Sequence, residues 1–125
     1  MDVVDQHFVR LVEAIPQARL ARRGDGSAVV SVPDVRLPGG WNATTTTVHF
    51  VVPVGYPAAR PDSFWTDAAL RLASGALPAN AQVNGNNPPE QPLLWFSFHP
   101  SSWNPLKDDL LTYFNIARTR FREVR

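Results

Sequence analysis

The order of the predicted elements indicates an α+β fold, in which a helix at each end of the chain flanks a block of strands. Near the N-terminus apolar residues recur at helical spacing, whereas the middle of the chain alternates apolar and polar residues as strands do. A chain of 125 residues, 44% of them hydrophobic, suits one compact core. We therefore predict a single domain over residues 1–125.

The first element is predicted to be an amphipathic helix, because apolar residues fall at positions i, i+3, i+4 and i+7. Asp2 or Asp5 is a suitable N-cap. Pro16 and the turn at Gly24-Asp25-Gly26 predict that the helix ends between Ile15 and Arg23. The residues of the apolar face are Phe8, Leu11, Val12 and Ile15.

About four strands are predicted to follow as an antiparallel meander. The valine-rich segment Ser27–Leu37 is interrupted by Pro33, which indicates a strand near a sheet edge. The segment Trp41–Val52 is rich in threonine and then alternates, so it is the clearest strand. Two shorter strands are predicted at Phe64–Leu72 and Leu93–His99.

The second half of the chain is rich in proline, and an asparagine-rich loop over residues 79–89 separates the last two predicted strands. Asn104 as N-cap and Pro105 at the first helical position predict a closing helix. The apolar positions of that helix are Leu106, Leu110, Phe114, Ala117 and Phe121.

Composition excludes several classes of function. The chain has no cysteine, which excludes disulfides, thiolate zinc sites and a thiol nucleophile. Twelve basic residues against eleven acidic ones argue against a nucleic-acid partner. No apolar run is long enough to span a membrane and no signal peptide is evident, so we expect a cytoplasmic protein without a membrane partner. We predict no metal and no cofactor.

Two motifs carry a family resemblance. Tyr56, Pro57 and Pro61 form a turn after the clearest strand, with Arg60 at the position before Pro61, and Trp103-Asn104-Pro105 precedes the closing helix. In this order the chain resembles the ubiquitin-conjugating (UBC-like) fold, whose members carry Tyr-Pro-x-x-Pro-Pro and Trp-x-Pro. The two further C-terminal helices of eukaryotic members are absent, and the chain is similar to the compact bacterial branch called prokaryotic UBC-like family E.

The resemblance implies a protein that works with a ThiF-type activating enzyme and carries or transfers a ubiquitin-like protein. Two features depart from the family pattern, because the chain has neither a His-Pro-Asn tripeptide nor the cysteine that forms a thioester. Both departures affect catalysis and not the fold. The first helix resembles the docking face for the activating enzyme, so Arg10 and Arg19 are candidate partner-binding residues, together with Tyr56 of the turn.

Acyl transfer needs a nucleophile, a base and donors for the oxyanion. Strand alternation places Ser97 and His99 on one face, so they are candidate nucleophile and base of a serine oxyester, although residues two apart on a strand are roughly 6.5 to 7 Å apart. Asn86 and Asn87 are candidate oxyanion donors in place of the missing His-Pro-Asn. Asn84 is an equal alternative for the amide, and Ser101 and Ser102 are alternatives for the nucleophile.

Two other interpretations remain open. The chain can be a non-catalytic UBC variant, a binding module that holds a ubiquitin-like protein or an activating enzyme in a complex. In that case the serine is a local hydrogen-bonding residue and the asparagines are turn residues. The native nucleophile can also be a cysteine that serine or alanine replaces in this chain.

Overall fold

The structure is a computed structural model that describes residues 1–125 as a six-stranded antiparallel sheet with two helices on one face. The elements are α1 Val3–Ala14, β1 Arg19–Arg22, β2 Ala28–Arg36, β3 Thr45–Val52, β4 Phe64–Asp67, β5 Ala81–Val83, β6 Leu93–Phe96, α2 Leu110–Ala117 and a 3₁₀ helix Arg118–Arg122. The strand order is β1-β2-β3-β4-β6-β5. The α+β class is confirmed, and the predicted number of about four strands is wrong.

Helix α1 forms as predicted, with Asp2 as N-cap. The Asp2 carboxylate accepts from the Asp5 amide at 2.9 Å and from Arg22 of β1 at 3.0 Å. The hydrogen bond from Arg22 holds the pKa of Asp2 below its usual value. The apolar face of α1 packs on the sheet through Leu11, which is fully buried.

Strand β2 lies between β1 and β3, so it is near an edge of the sheet, as predicted, but is not the edge strand itself. Pro33 does interrupt the ladder, because the β2–β3 register shifts between Val32 and Val35 and Asp34 adopts φ +58°. Strand β1 takes the edge instead. Its sequence Arg-Leu-Ala-Arg is largely exposed and has no apolar alternation, which explains why the sequence did not predict it.

Strand β5 lies inside the segment predicted as an asparagine-rich loop. It is three residues long and mostly exposed, so its side chains carry no strand pattern. The other strands are shorter than predicted, because β3 begins at Thr45, β4 ends at Asp67 and β6 ends at Phe96.

Helix α2 begins at Leu110 and not at Pro105, which corrects the prediction. Asp109 and Thr112 form a reciprocal capping box. Asn104 and Pro105 form a separate turn, in which the Asn104 side-chain oxygen accepts from the Leu106 amide at 3.0 Å. Leu106 is 98% exposed and contributes nothing to the apolar face of the helix.

The core lies between the helices and the inner face of the sheet, which is the face that α1 and α2 cover. The C-terminal segment closes one end of this core, because the buried Arg120 guanidinium donates to the carbonyls of Ala79, Glu123 and Arg125. No helix has the length and apolar character needed to cross a membrane. The inner-face residues are Ala28, Val30, Val32, Val48, Phe50, Val52, Phe64, Leu94 and Phe96.

Candidate functional site

The outer face of the sheet, which the helices leave uncovered, carries most of the polar chemistry. The loop between β5 and β6 lies across part of this face. Gly85 packs on Trp95 so closely that a Cβ would lie 2.8 Å from the Trp95 ring, and the Gly85 carbonyl accepts from Trp65 Nε1 at 2.9 Å. Glycine at this position therefore lets the loop approach the two indoles.

The two sequence motifs contact each other. Trp103 Nε1 donates to the Pro57 carbonyl at 2.8 Å, and the rings of Tyr56 and Trp103 are 6.2 Å apart. Arg60, which departs from the family pattern, donates to the Pro100 carbonyl at 3.2 Å. The turn after β3 and the loop after β6 are thus fastened together.

Tyr56 anchors its turn from inside the protein. Its hydroxyl and His7 Nδ1 of α1 are 2.6 Å apart, and both residues are buried. Burial raises the pKa of Tyr56 and lowers the pKa of His7, so both groups are neutral near pH 7. With 7% of its surface exposed, Tyr56 offers little area to a partner, and its partner-binding role stays a prediction.

His99 pairs with an acidic residue that the sequence reasoning missed. His99 Nδ1 lies 2.6 Å from a carboxylate oxygen of Asp62, and both side chains are about half exposed. A carboxylate at Nδ1 fixes the imidazole tautomer in which Nε2 carries the free lone pair. Asp62 precedes His99 by 37 residues, so no local sequence pattern could have paired them.

Ser97 shares the outer face with Trp95, as alternation predicts, and is half-buried just after β6. Its amide donates to the Asn80 carbonyl at 2.8 Å. Its hydroxyl makes no side-chain hydrogen bond, with His99 or with any other residue. The structure therefore does not join Ser97 and His99 directly.

Asn86 and Asn87 line a groove of about 280 Å³ together with Arg60 and Asp62. Both asparagines have positive φ, which this residue type tolerates, and their side-chain amides make no hydrogen bond within the chain. The two predicted amides therefore line the same groove as the Asp62 carboxylate, which is hydrogen-bonded to His99. The remaining lining residues are Arg23, Val51, Pro53 and Trp65.

The alternative residues have other environments. The Asn84 side chain accepts from the Leu93 amide at 3.0 Å, so its amide oxygen supports the β5–β6 turn. Ser101 and Ser102 are exposed and do not cap α2, because Asp109 does so. No group of three or more acidic or histidine side chains is arranged to hold a metal ion.

The two arginines predicted to bind a partner lie apart. Arg10 is on α1, more than half exposed, and its guanidinium is 3.5 Å from the Asp109 carboxylate of the α2 cap. Arg19 is the first residue of β1 and not part of the helix. It lines a second outer-face cavity of about 440 Å³. A docking role for both residues stays a prediction.

Comparison with known proteins supports the architecture. Residues 20–123 match the model of one family, described as Prokaryotic E2 family E. No curated protein and no solved structure matches the chain. The match includes the fastened turn and loop, the asparagine groove and the Asp62–His99 pair, whereas α1 precedes it. Because the matched range is most of the chain, this protein belongs to Prokaryotic E2 family E and has a ubiquitin-conjugating-like role.

Proposed function

We propose that the protein receives the C-terminal acyl group of a ubiquitin-like protein from a ThiF-type activating enzyme and carries or transfers it as an oxyester on Ser97. The observation that carries this proposal is the Asp62–His99 pair, which gives an exposed imidazole with an oriented base nitrogen beside a groove. A serine hydroxyl needs such a base to act as a nucleophile.

The proposed step balances without a cofactor. The Ser97 hydroxyl oxygen attacks the carbonyl carbon of the carrier's thioester, the new C–O bond forms and the C–S bond breaks. The serine proton passes through His99 Nε2 to the departing thiolate. Asn86 and Asn87 supply amide N–H donors for the tetrahedral oxyanion.

The loop after β6 must bring His99 Nε2 to the Ser97 hydroxyl for this step. That loop is held at three points: the Phe98 carbonyl accepts from the Ser63 amide at 2.7 Å, the Pro100 carbonyl accepts from Arg60, and the Trp103 indole donates to the Pro57 carbonyl. The movement therefore has to be a rotation of the His99 side chain about the held backbone. Hydrogen bonds at such sites commonly form only when the substrate is bound. The exposed positions of His99 and Asp62 leave room for this movement.

The test is a mixture of this chain, the activating enzyme, the ubiquitin-like protein and ATP. We expect a covalent adduct that hydroxylamine cleaves and that Ser97→Ala abolishes. The matched control is the double variant Ser101→Ala/Ser102→Ala, in which the adduct persists. Absence of an adduct from the wild-type chain would rule out the oxyester.

A second function has its own supporting observation. The Ser97 hydroxyl has no base within hydrogen-bond distance, and the chain has no cysteine. Both facts favour a non-catalytic module that holds the ubiquitin-like protein or the activating enzyme. Calorimetry separates the two functions, because the module binds the carrier with unchanged affinity in Ser97→Ala/His99→Ala and forms no adduct.

A further inference from the structure

A second serine–histidine pair lies on the outer face, away from the turn and loop described above. Ser31 of β2 and His49 of β3 are directly opposite each other in the antiparallel register. Ser31 Oγ and His49 Nδ1 are 2.8 Å apart. No other serine and histidine in the chain share a hydrogen bond, so Ser31 is the one serine whose hydroxyl already contacts an imidazole.

The imidazole of His49 is suited to act as a base. Only 7% of the residue is exposed, and burial lowers its pKa although the carboxylates of Glu90 and Asp67 act in the opposite direction. The ring is therefore neutral at pH 7. A neutral ring whose Nδ1 contacts a hydroxyl can take the hydroxyl proton.

The pair opens into the 440 Å³ cavity on the outer face, the largest cavity of the structure. Glu90, from the loop between β5 and β6, forms part of the wall and adds a carboxylate on the histidine side. Arg19, at the start of β1, adds a guanidinium that makes no ion pair. The other lining residues are Leu20, Ala21, Val29, Pro33 and Thr47.

We propose that Ser31 and His49 form a second acyl-accepting site, whose substrates are acyl groups activated as esters or thioesters. The Ser31 oxygen attacks the acyl carbon, a C–O bond forms, and the C–O or C–S bond to the leaving group breaks. His49 takes the serine proton and returns it to the leaving alkoxide or thiolate. Arg19 is the cation in the cavity wall that would face the developing oxyanion.

A cross-strand hydrogen bond also stabilises a sheet without any chemistry. Three features go beyond that role: the cavity lies over the hydroxyl, the base is buried and neutral, and a carboxylate and a cation share the wall. These are the groups that a serine nucleophile requires. The proposal is independent of the Ser97 oxyester and of the ubiquitin-like partner.

The first experiment uses diisopropyl fluorophosphate, which forms an O–P bond with an activated serine and releases fluoride. Trypsin separates the two candidates, because Ser31 lies in the peptide 24–36 and Ser97 in the peptide 72–107. We expect the adduct on Ser31, and labelling at least about tenfold slower in His49→Gln. An adduct on Ser97 alone, or no adduct at all, would overturn the proposal.

The second experiment uses the absence of cysteine, which makes any introduced thiol unique. We compare the pH dependence of iodoacetamide alkylation in Ser31→Cys and Ser97→Cys, after verifying both folds by circular dichroism. A thiol beside a base has a pKa well below the ordinary value of about 8.5.

We expect the alkylation midpoint of Ser31→Cys to lie at least about one pH unit below that of Ser97→Cys. In Ser31→Cys/His49→Gln the midpoint returns toward the ordinary thiol value. Equal midpoints in the two single variants, or no response to the loss of His49, would mean that His49 does not activate position 31.

Discussion

The two serine–histidine pairs of the outer face differ in what joins them. Ser31 and His49 lie on neighbouring strands, 18 residues apart in sequence, and share a 2.8 Å hydrogen bond. Ser97 and His99 are only two residues apart, yet His99 bonds to Asp62 and the Ser97 hydroxyl bonds to nothing. Cross-strand register brings side chains together more closely than alternation along one strand does.

The pairs also differ in environment. His49 is buried in the sheet, whereas the His99 side chain, in the loop after β6, is more than half exposed. The buried pair is preorganised, and its imidazole contributes to stability. The exposed pair leaves its imidazole free to meet a second molecule. Variants of the two histidines should therefore separate effects on folding from effects on transfer.

The largest expected effect is on transfer. Replacement of His99 by glutamine removes the proposed base, and we expect the rate of adduct formation to fall by about 10²–10⁴-fold. Asp62→Asn lowers the rate in the same direction, because the amide no longer orients the imidazole. Single-turnover assays measure both. An unchanged rate in His99→Gln would exclude this histidine as the base.

The second effect is on stability. We expect His49→Ala to lower the free energy of unfolding by about 1–3 kcal/mol, because it leaves a cavity and an unpaired Ser31 hydroxyl. His99→Ala is the matched control and changes it by less than about 0.5 kcal/mol, since its hydrogen bond to Asp62 is exposed to solvent. Urea denaturation measures both. If both variants lowered the free energy of unfolding equally, the burial of His49 would not make it more important for stability than the exposed His99.

The third effect is a dependence of stability on pH. Burial lowers the pKa of His49 and His7 in the folded state below the unfolded value of 6.5, so the unfolded chain binds protons more readily. The contribution of the two neutral histidines to the free energy of unfolding is complete above pH 6.5 and is lost as the pH falls below that value. Melting temperatures between pH 7.5 and 5 should decline.

The melting temperature of His49→Gln should decline less steeply over the same pH range than that of the wild-type chain. If the melting temperature of His49→Gln declined as steeply with falling pH as that of the wild-type chain, groups other than His49 would be responsible for the loss of stability.

The smallest effect concerns the loop after β6. Arg60→Ala removes the hydrogen bond to the Pro100 carbonyl, and we expect it to lower the free energy of unfolding by about 0.5–1 kcal/mol. Arg122→Ala, an exposed arginine without a hydrogen bond, is the control and should be neutral. Thermal denaturation compares them. Adduct formation should also slow in Arg60→Ala, because the loop is less well positioned.

Much of the candidate site could be predicted from the sequence, but its pairing could not. Strand alternation placed Ser97 and His99 on one face, whereas Asn86 and Asn87 were chosen only as amides upstream of Ser97, and the structure adds that both line a groove with Asp62. Asp62 was missed because its link to His99 depends on the turn and loop being fastened together.

The start of helix α2 also could not be predicted from local sequence alone. Asn104-Pro105 and Asp109 are both good helix starts by local chemistry. The second is used because Leu110 is the first residue that reaches the core, whereas Leu106 remains in solvent. Local capping preferences therefore identified a possible start, and packing selected the one that is used.

By itself, the sequence determined the α+β class, the α1 helix, the valine-rich strands and the absence of any thiol, because periodicity, capping and composition are local properties. Tertiary structure alone decided that β2 is interior, that Arg60 fastens the loop after β6, and which partner each histidine meets. Those outcomes depend on strand order and register, and contacts between residues 18 to 49 positions apart leave no local pattern.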